Sequence, residues 1–165
     1  MEFNLLPLLN CEGKQVPLDL TLEIAPRTGD NFRILGPVSL VGNIINIGGS
    51  IELNAKGQAE LILTCDRCTE EFSMTLPFTV EERFKKEDPA QGEEPNPDIT
   101  VLEGNTIDLA ELAYDGLALQ IPSKILCGED CLGLCPNCGQ NLNHGECGCD
   151  TRTTDPRFDV LDQLL

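Results

Sequence analysis

Eight of the nine cysteines in this 165-residue chain stand in four close pairs, Cys65/Cys68, Cys127/Cys131, Cys135/Cys138 and Cys147/Cys149, and Cys11 alone is isolated. Three of the pairs crowd into residues 127–149. Thiols at this density either hold a metal or cross-link one another, and both dictate the path of the backbone around them. In Cys135-Pro136-Asn137-Cys138-Gly139, two residues between thiolates and a glycine after the second let the chain curl so that both sulfurs point at one tetrahedral ion. Cys65-Asp66-Arg67-Cys68 has the same spacing and is flanked by alternating, strand-like sequence, which places it at a hairpin tip. That is how a zinc knuckle is built.

Eight thiolates can complete two tetrahedral sites. The partition expected here joins Cys135 and Cys138 to Cys147 and Cys149 across the Gly139–Glu146 loop, and joins Cys65 and Cys68 to Cys127 and Cys131. The alternative is a single tail site using four of the six thiols in 127–149. Either way the cofactor is one or two structural zinc ions. Disulfides compete with this reading, but an odd total of nine and a reducing compartment disfavour them. A thiol-redox protein working through its CxxC pairs is the second functional reading. A thioredoxin-type dithiol opens a helix, and no helix signal follows Cys68. Metal storage or transfer ranks third. His144, the only histidine, lies in the ligand loop as a loop residue or substitute ligand.

Twenty-eight acids against 11 bases give a net charge of −17. Eight thiolates and two divalent ions would take it to about −21. A phosphate binder normally presents a basic stripe, so this balance disfavours direct clamping of nucleic acid and fits a basic protein partner, or simple solubility. No apolar run reaches membrane-spanning length, and Met1–Asn10 carries no basic residue ahead of Leu5-Leu6-Pro7-Leu8-Leu9, so no secretory signal and no membrane partner are expected. The expected compartment is the cytoplasm. No serine, cysteine or carboxylate constellation has a catalytic spacing, and a site closed by four thiolates leaves no position for water. The chain is therefore expected not to be an enzyme.

Val16, Leu18, Leu20, Leu22 and Ile24 alternate with polar residues as in a half-buried strand. Similar segments follow around 38–40, 45–53, 59–63 and 72–80, punctuated by Gly36-Pro37, Gly42-Asn43, Gly48-Gly49 and Lys56-Gly57. They lie too close together for crossover helices, which predicts antiparallel pairing. Asp108 is placed to cap a helix with Glu111 at the capping-box position and Leu109, Leu112, Ala113 and Leu117 on its apolar stripe, limited by Pro122. Asp155-Pro156 predicts a short closing helix through Phe158, Leu161 and Leu164. The expected fold is α+β, a mainly antiparallel β sheet or small barrel followed by a helix and a cysteine-rich zinc knuckle. Its expected segments are an antiparallel β region with the Cys65/Cys68 hairpin (1–84), an acidic linker (85–105), and the helix with the knuckle tail and closing helix (106–165).

Cys65-Asp66-Arg67-Cys68, Ile107-Asp108-Leu109, Leu119-Gln120-Ile121-Pro122, the run from Cys131 to Asn143, Cys147-Gly148-Cys149 and Asp155-Pro156-Arg157 occur together and in order. This combination resembles the YceD-like family of large ribosomal RNA subunit accumulation proteins, over most of the chain. The resemblance implies a ribosome-biogenesis role in accumulation or processing of large-subunit (23S) ribosomal RNA, in bacterial cytoplasm or in plastid stroma, with no established catalytic activity. The partner expected on the acidic surface is a ribosomal protein or large-subunit assembly factor, with ribosomal RNA contacted indirectly.

Overall fold

Period-two alternation builds most of the chain into strands. The computed structural model describes residues 1–25, 27, 29, 31–86, 99–102 and 104–149. In order, the elements are β1 (Glu2–Asn4), the single turn α1 (Leu6–Leu9), β2 (Gln15–Leu22), β3 (Phe32–Ile47), β4 (Ser50–Thr64), β5 (Glu71–Lys86), β6 (Thr100–Leu102), β7 (Thr106–Asp108) and the helix α2 (Leu109–Gln120). β1 and β7 form a small antiparallel ribbon, while β2 to β6 lie side by side in sequence order in a second sheet. β2–β3 and β3–β4 pair antiparallel. β4 and β5 are neighbours joined by residues 65–70, a connection too short for a parallel crossover. Among the described residues β6 alone runs parallel, pairing with the end of β5 through Phe84↔Thr100 to Lys86↔Leu102.

The result is a mainly antiparallel sheet. Its strand order is a linear series with β2 and β6 at the ends, and the pairings among the described residues do not close it into the small barrel. The strands also run through two of the expected turns. β3 continues through Gly42-Asn43 and β4 through Lys56-Gly57, and neither glycine has a positive φ. Each is required because another group approaches too closely for a side chain. A Cβ on Gly42 would fall on the backbone of Asn54 and Ala55, and one on Gly57 would fall on the ring of Phe78. Gly36-Pro37 marks an irregularity inside β3, where the register shifts between Leu35 and Ser39. The chain reverses at Gly48-Gly49, both at positive φ. The buried Asn46 supports this turn, accepting from the Gly49 amide at 3.1 Å and donating to the Leu8 carbonyl at 2.7 Å.

Asp108 caps α2 by accepting from the amides of Ala110 (2.8 Å) and Glu111 (3.3 Å). The helix buries Leu109, Ala113, Tyr114, Gly116 and Leu117, while Leu112 is half-buried. Gly116 was not expected on that face. It lets the helix close on β5, since a Cβ there would sit 2.8 Å from the Thr79 carbonyl oxygen. α2 ends at Gln120 because Ile121, preceding Pro122, takes the extended backbone that proline imposes. No helix among the described residues is long and apolar enough to cross a membrane.

Two compact units result, one of Met1–Leu63 with Ser73–Ser123, the other of Thr64–Phe72 with the chain from Lys124 on. These differ from the segments drawn on the sequence. α2 belongs with the sheet, and the Cys65/Cys68 segment belongs with the cysteine-rich tail. Part of the expected 85–105 linker is strand, in Lys85, Lys86 and β6. Residues 87–98 and the closing helix expected after Asp155 lie outside the described residues.

If Gly57 serves close approach rather than a turn, Gly57→Ala is expected to lower unfolding stability in urea by about 1–3 kcal/mol. Gly57→Asn, which a turn would tolerate, is expected to cost at least as much. An unchanged midpoint for Gly57→Asn would sink this account.

Candidate metal centres

Residues 64–72 and 124–134 are knitted together by backbone and side-chain hydrogen bonds. The Asp66 amide donates to the Ile125 carbonyl at 2.8 Å, and the Ile125 amide donates to the Asp66 carboxylate at 2.7 Å. Arg67 holds a second stretch, its guanidinium donating to the Cys131 carbonyl at 2.9 Å and its own carbonyl accepting from the Leu134 amide at 3.1 Å. These contacts set Cys65 and Cys68 beside Cys127 and Cys131.

The same curl is built twice. In Cys65–Glu70, the Thr69 amide donates to the Cys65 carbonyl at 2.9 Å and the Cys65 amide to the Glu70 carbonyl at 2.9 Å. In Cys135–Gln140, the Gly139 amide donates to Cys135 at 2.9 Å and the Cys135 amide to Gln140 at 2.8 Å. The residue after the second cysteine must take positive φ in both, 60° at Thr69 and 74° at Gly139. Glycine does this freely, whereas a β-branched threonine is strained there.

The structure gathers the eight paired cysteines into two quartets, Cys65, Cys68, Cys127 and Cys131 in one and Cys135, Cys138, Cys147 and Cys149 in the other. Within each, the sulfurs all lie within 4.8 Å of one another. Cys11 is exposed and belongs to neither. All nine thiols are free. Cys65 and Cys131 sulfurs are 3.8 Å apart and those of Cys68 and Cys127 3.6 Å, far beyond a disulfide bond of about 2.05 Å. A tetrahedral ion with metal–sulfur bonds of about 2.3 Å would set its sulfurs about 3.8 Å apart. The spacing and the all-thiol donor set thus suit a soft or borderline metal ion in either quartet.

Electrostatics within the quartets point the same way. Burial pushes the Cys65 thiol up, but the amides of Cys68, Cys127 and Arg67 outweigh it and bring the group down to about 6. The amides of Cys138 and Asn137, with the Cys147 side chain, hold Cys135 at about 6 against its desolvation. The Asn143 side chain is the main cause that lowers Cys131. Once such thiolates exist, their neighbours resist ionisation. Cys131 and Cys68 push Cys127 up to about 12, and Cys138 and Cys147 push Cys149 up to about 12. Cys68 is raised by burial and by the Cys65 thiol against the Glu70 amide bond that lowers it, and Cys147 by the Cys135 thiol and burial against the Cys149 amide. Four thiolates this close require a cation between them.

His144 enters neither quartet. Its Nε2 lies 2.5 Å from Glu70 Oε1, and this contact is the main cause holding the Glu70 carboxyl below its ordinary range. Glu70 and Asn143 were not singled out from the sequence. The available signal was the run Gln140-Asn141-Leu142-Asn143-His144, rich in side-chain donors and enclosed by ligand pairs.

A family model described as "Large ribosomal RNA subunit accumulation protein YceD" matches residues 53–165. Uncharacterized proteins of Mycobacterium tuberculosis and Mycobacterium bovis are each 32% identical to this chain over 102 residues, covering 61% of it and 49% of their own length. An uncharacterized protein of Mycobacterium leprae is 24% identical over 145 residues, 85% of this chain and 66% of its own. The chain thus spans about half the length of the first two relatives. No solved structure matches.

Metal uptake near neutral pH is expected to release protons, among them those of Cys68 and Cys127 in one quartet and of Cys147 and Cys149 in the other, which are held in the thiol form. Cys65 and Cys135 are depressed groups, so their favourable contribution is present above their ordinary value and lost as pH falls through about 6. Affinity should therefore fall with acidification, and more steeply below about pH 6. Calorimetric titration in buffers of different ionisation enthalpy measures the proton count, and uptake without proton release would refute the assignment.

Proposed function

The chain belongs to the YceD family of large ribosomal RNA subunit accumulation proteins, and on that premise we propose that it is a non-catalytic, zinc-stabilised ribosome-biogenesis factor. In this reading it supports accumulation or processing of 23S ribosomal RNA by holding a basic ribosomal protein or large-subunit assembly factor. The family match carries the reading. The net charge of −17 supports a basic protein partner over direct RNA clamping, because an acidic surface attracts lysine- and arginine-rich segments and repels phosphate. Ribosomal RNA is then reached indirectly, in bacterial cytoplasm or plastid stroma.

Zinc is the proposed ion at both quartets, since four thiolates in tetrahedral spacing are its usual structural coordination. Coordination by four thiolates leaves no open position for substrate or water, which supports a stiffening role. Cys65 and Cys135, the two most acidic thiols, are 1% and 2% exposed, which disfavours the thiol-redox alternative because an attacking thiolate must be reached.

Depletion in the native host is expected to lower large-subunit ribosomal RNA relative to small-subunit RNA; an unaltered ratio would remove the biogenesis reading. Purified without chelator, the chain should carry two zinc ions by elemental analysis, and Cys65→Ser should carry one. An unchanged zinc count for Cys65→Ser would exclude the first quartet as a metal site while leaving the RNA experiment to stand or fall by itself.

A further inference from the structure

The loop spanned by the second quartet reaches the ligands of the first. Between Cys138 and Cys147, Asn141 caps a short 3-10 turn (Leu142–His144), its side-chain oxygen accepting from the Asn143 amide at 3.0 Å. That turn sets Asn143 beside the first quartet. Its Nδ2 donates to the Cys131 sulfur at 3.4 Å, while its Oδ1 accepts from the Leu132 amide at 2.8 Å. His144, on the same turn, contacts Glu70, whose other carboxylate oxygen lies 4.0 Å from the Cys68 sulfur. Two backbone contacts tie the loop down further, the Leu142 amide to the Gly133 carbonyl at 2.9 Å and an isolated bridge between Leu134 and Asn141.

We propose that the two quartets bind metal as a coupled pair, with Asn143 as the positioning residue through which the loop closed by the second quartet orients the Cys131 thiolate of the first. This rests on the reading of both quartets as metal sites. An ion in the second quartet pins Cys138 to Cys147 and removes conformational freedom from residues 139–146. The first ion then meets a Cys131 thiolate already oriented by an N–H donor, with the ordering cost of that donor already met by the second site. Groups that hydrogen-bond to metal ligands fix their orientation and tune their donor strength, and losing one typically costs 10–100-fold in affinity. Linkage makes the effect mutual, so an ion in the first quartet strengthens binding at the second by the same factor.

The second quartet has its ligands within residues 135–149, whereas the first must join segments far apart in sequence, Cys68 and Cys127 being 59 positions apart. The shorter closure costs less entropy, so the second quartet should fill first.

The test is titration of the metal-stripped full chain with cobalt(II), read by its thiolate charge-transfer and ligand-field bands, for the unaltered chain, Asn143→Ala and the double variant Cys147→Ser/Cys149→Ser. The unaltered chain should take two equivalents. Asn143→Ala should keep both while weakening one at least about tenfold. Its charge-transfer band should also move to lower energy, because a thiolate that loses an N–H donor holds its electrons less tightly; a role in folding alone would not move that band. The double variant should bind one equivalent with similarly weakened affinity. First-quartet affinity within about twofold of the unaltered chain's in Asn143→Ala would overturn the coupling even if the double variant failed to fold. No cobalt uptake by the unaltered chain would instead overturn the metal reading beneath it.

Discussion

Four sulfurs held within 4.8 Å of one another are an unstable arrangement of charge unless a cation sits among them, and the second compact unit is organised around two such arrangements. Its buried cluster consists of Cys65, Cys68 and Cys131, with Phe72 and Leu126 packed alongside. Thiols occupy the place that aliphatic side chains fill in the first unit. So small an apolar cluster offsets little of the entropy of ordering a loop-rich segment, so metal coordination is the natural source of the remaining stabilisation. The first unit has a different basis. Leu40, Ile44, Leu53, Leu61 and Leu117 are fully buried there, and no ligand cysteine belongs to it.

Backbone amides prepare the ligands before any ion arrives. Two N–H groups following Cys65 and two following Cys135 point at the respective sulfurs, because each knuckle turns back on itself at a positive-φ residue. Gly139 meets that requirement without strain. Thr69 holds the same conformation at a cost of about 1–3 kcal/mol, opposed by the paired bonds between the Cys65 and Thr69 backbones and between Cys65 and Glu70. The two knuckles share the backbone bonds that close them and are unequal in backbone strain.

In the proposed role, an acidic chain whose two cysteine quartets each close on one ion suits recognition better than chemistry. Charge complementarity with a basic partner accelerates encounter and discourages phosphate, and both effects weaken with salt. Within the proposed role, the ions hold the shape of the unit that carries them.

Much of this was legible in one dimension. Alternation marked the strands, Asp108 and Pro122 bracketed α2, and the pairing of cysteines at gaps of one to three residues named the eight thiols, because those signals depend on neighbours in the chain. The turn glycines misled, since Gly42 and Gly57 look like Gly48 in sequence and differ only in what approaches them from another strand: Asn54 and Ala55 at one, the Phe78 ring at the other. The grouping of thiols into these two quartets was one of two that spacing allowed, and tertiary structure brings the sulfurs together that way; the strained φ at Thr69 and the reach of Asn143 to Cys131 were decided by tertiary structure alone. Sequence spacing determines which groups are able to share an ion or a strand; distances between segments remote along the chain determine which ones do.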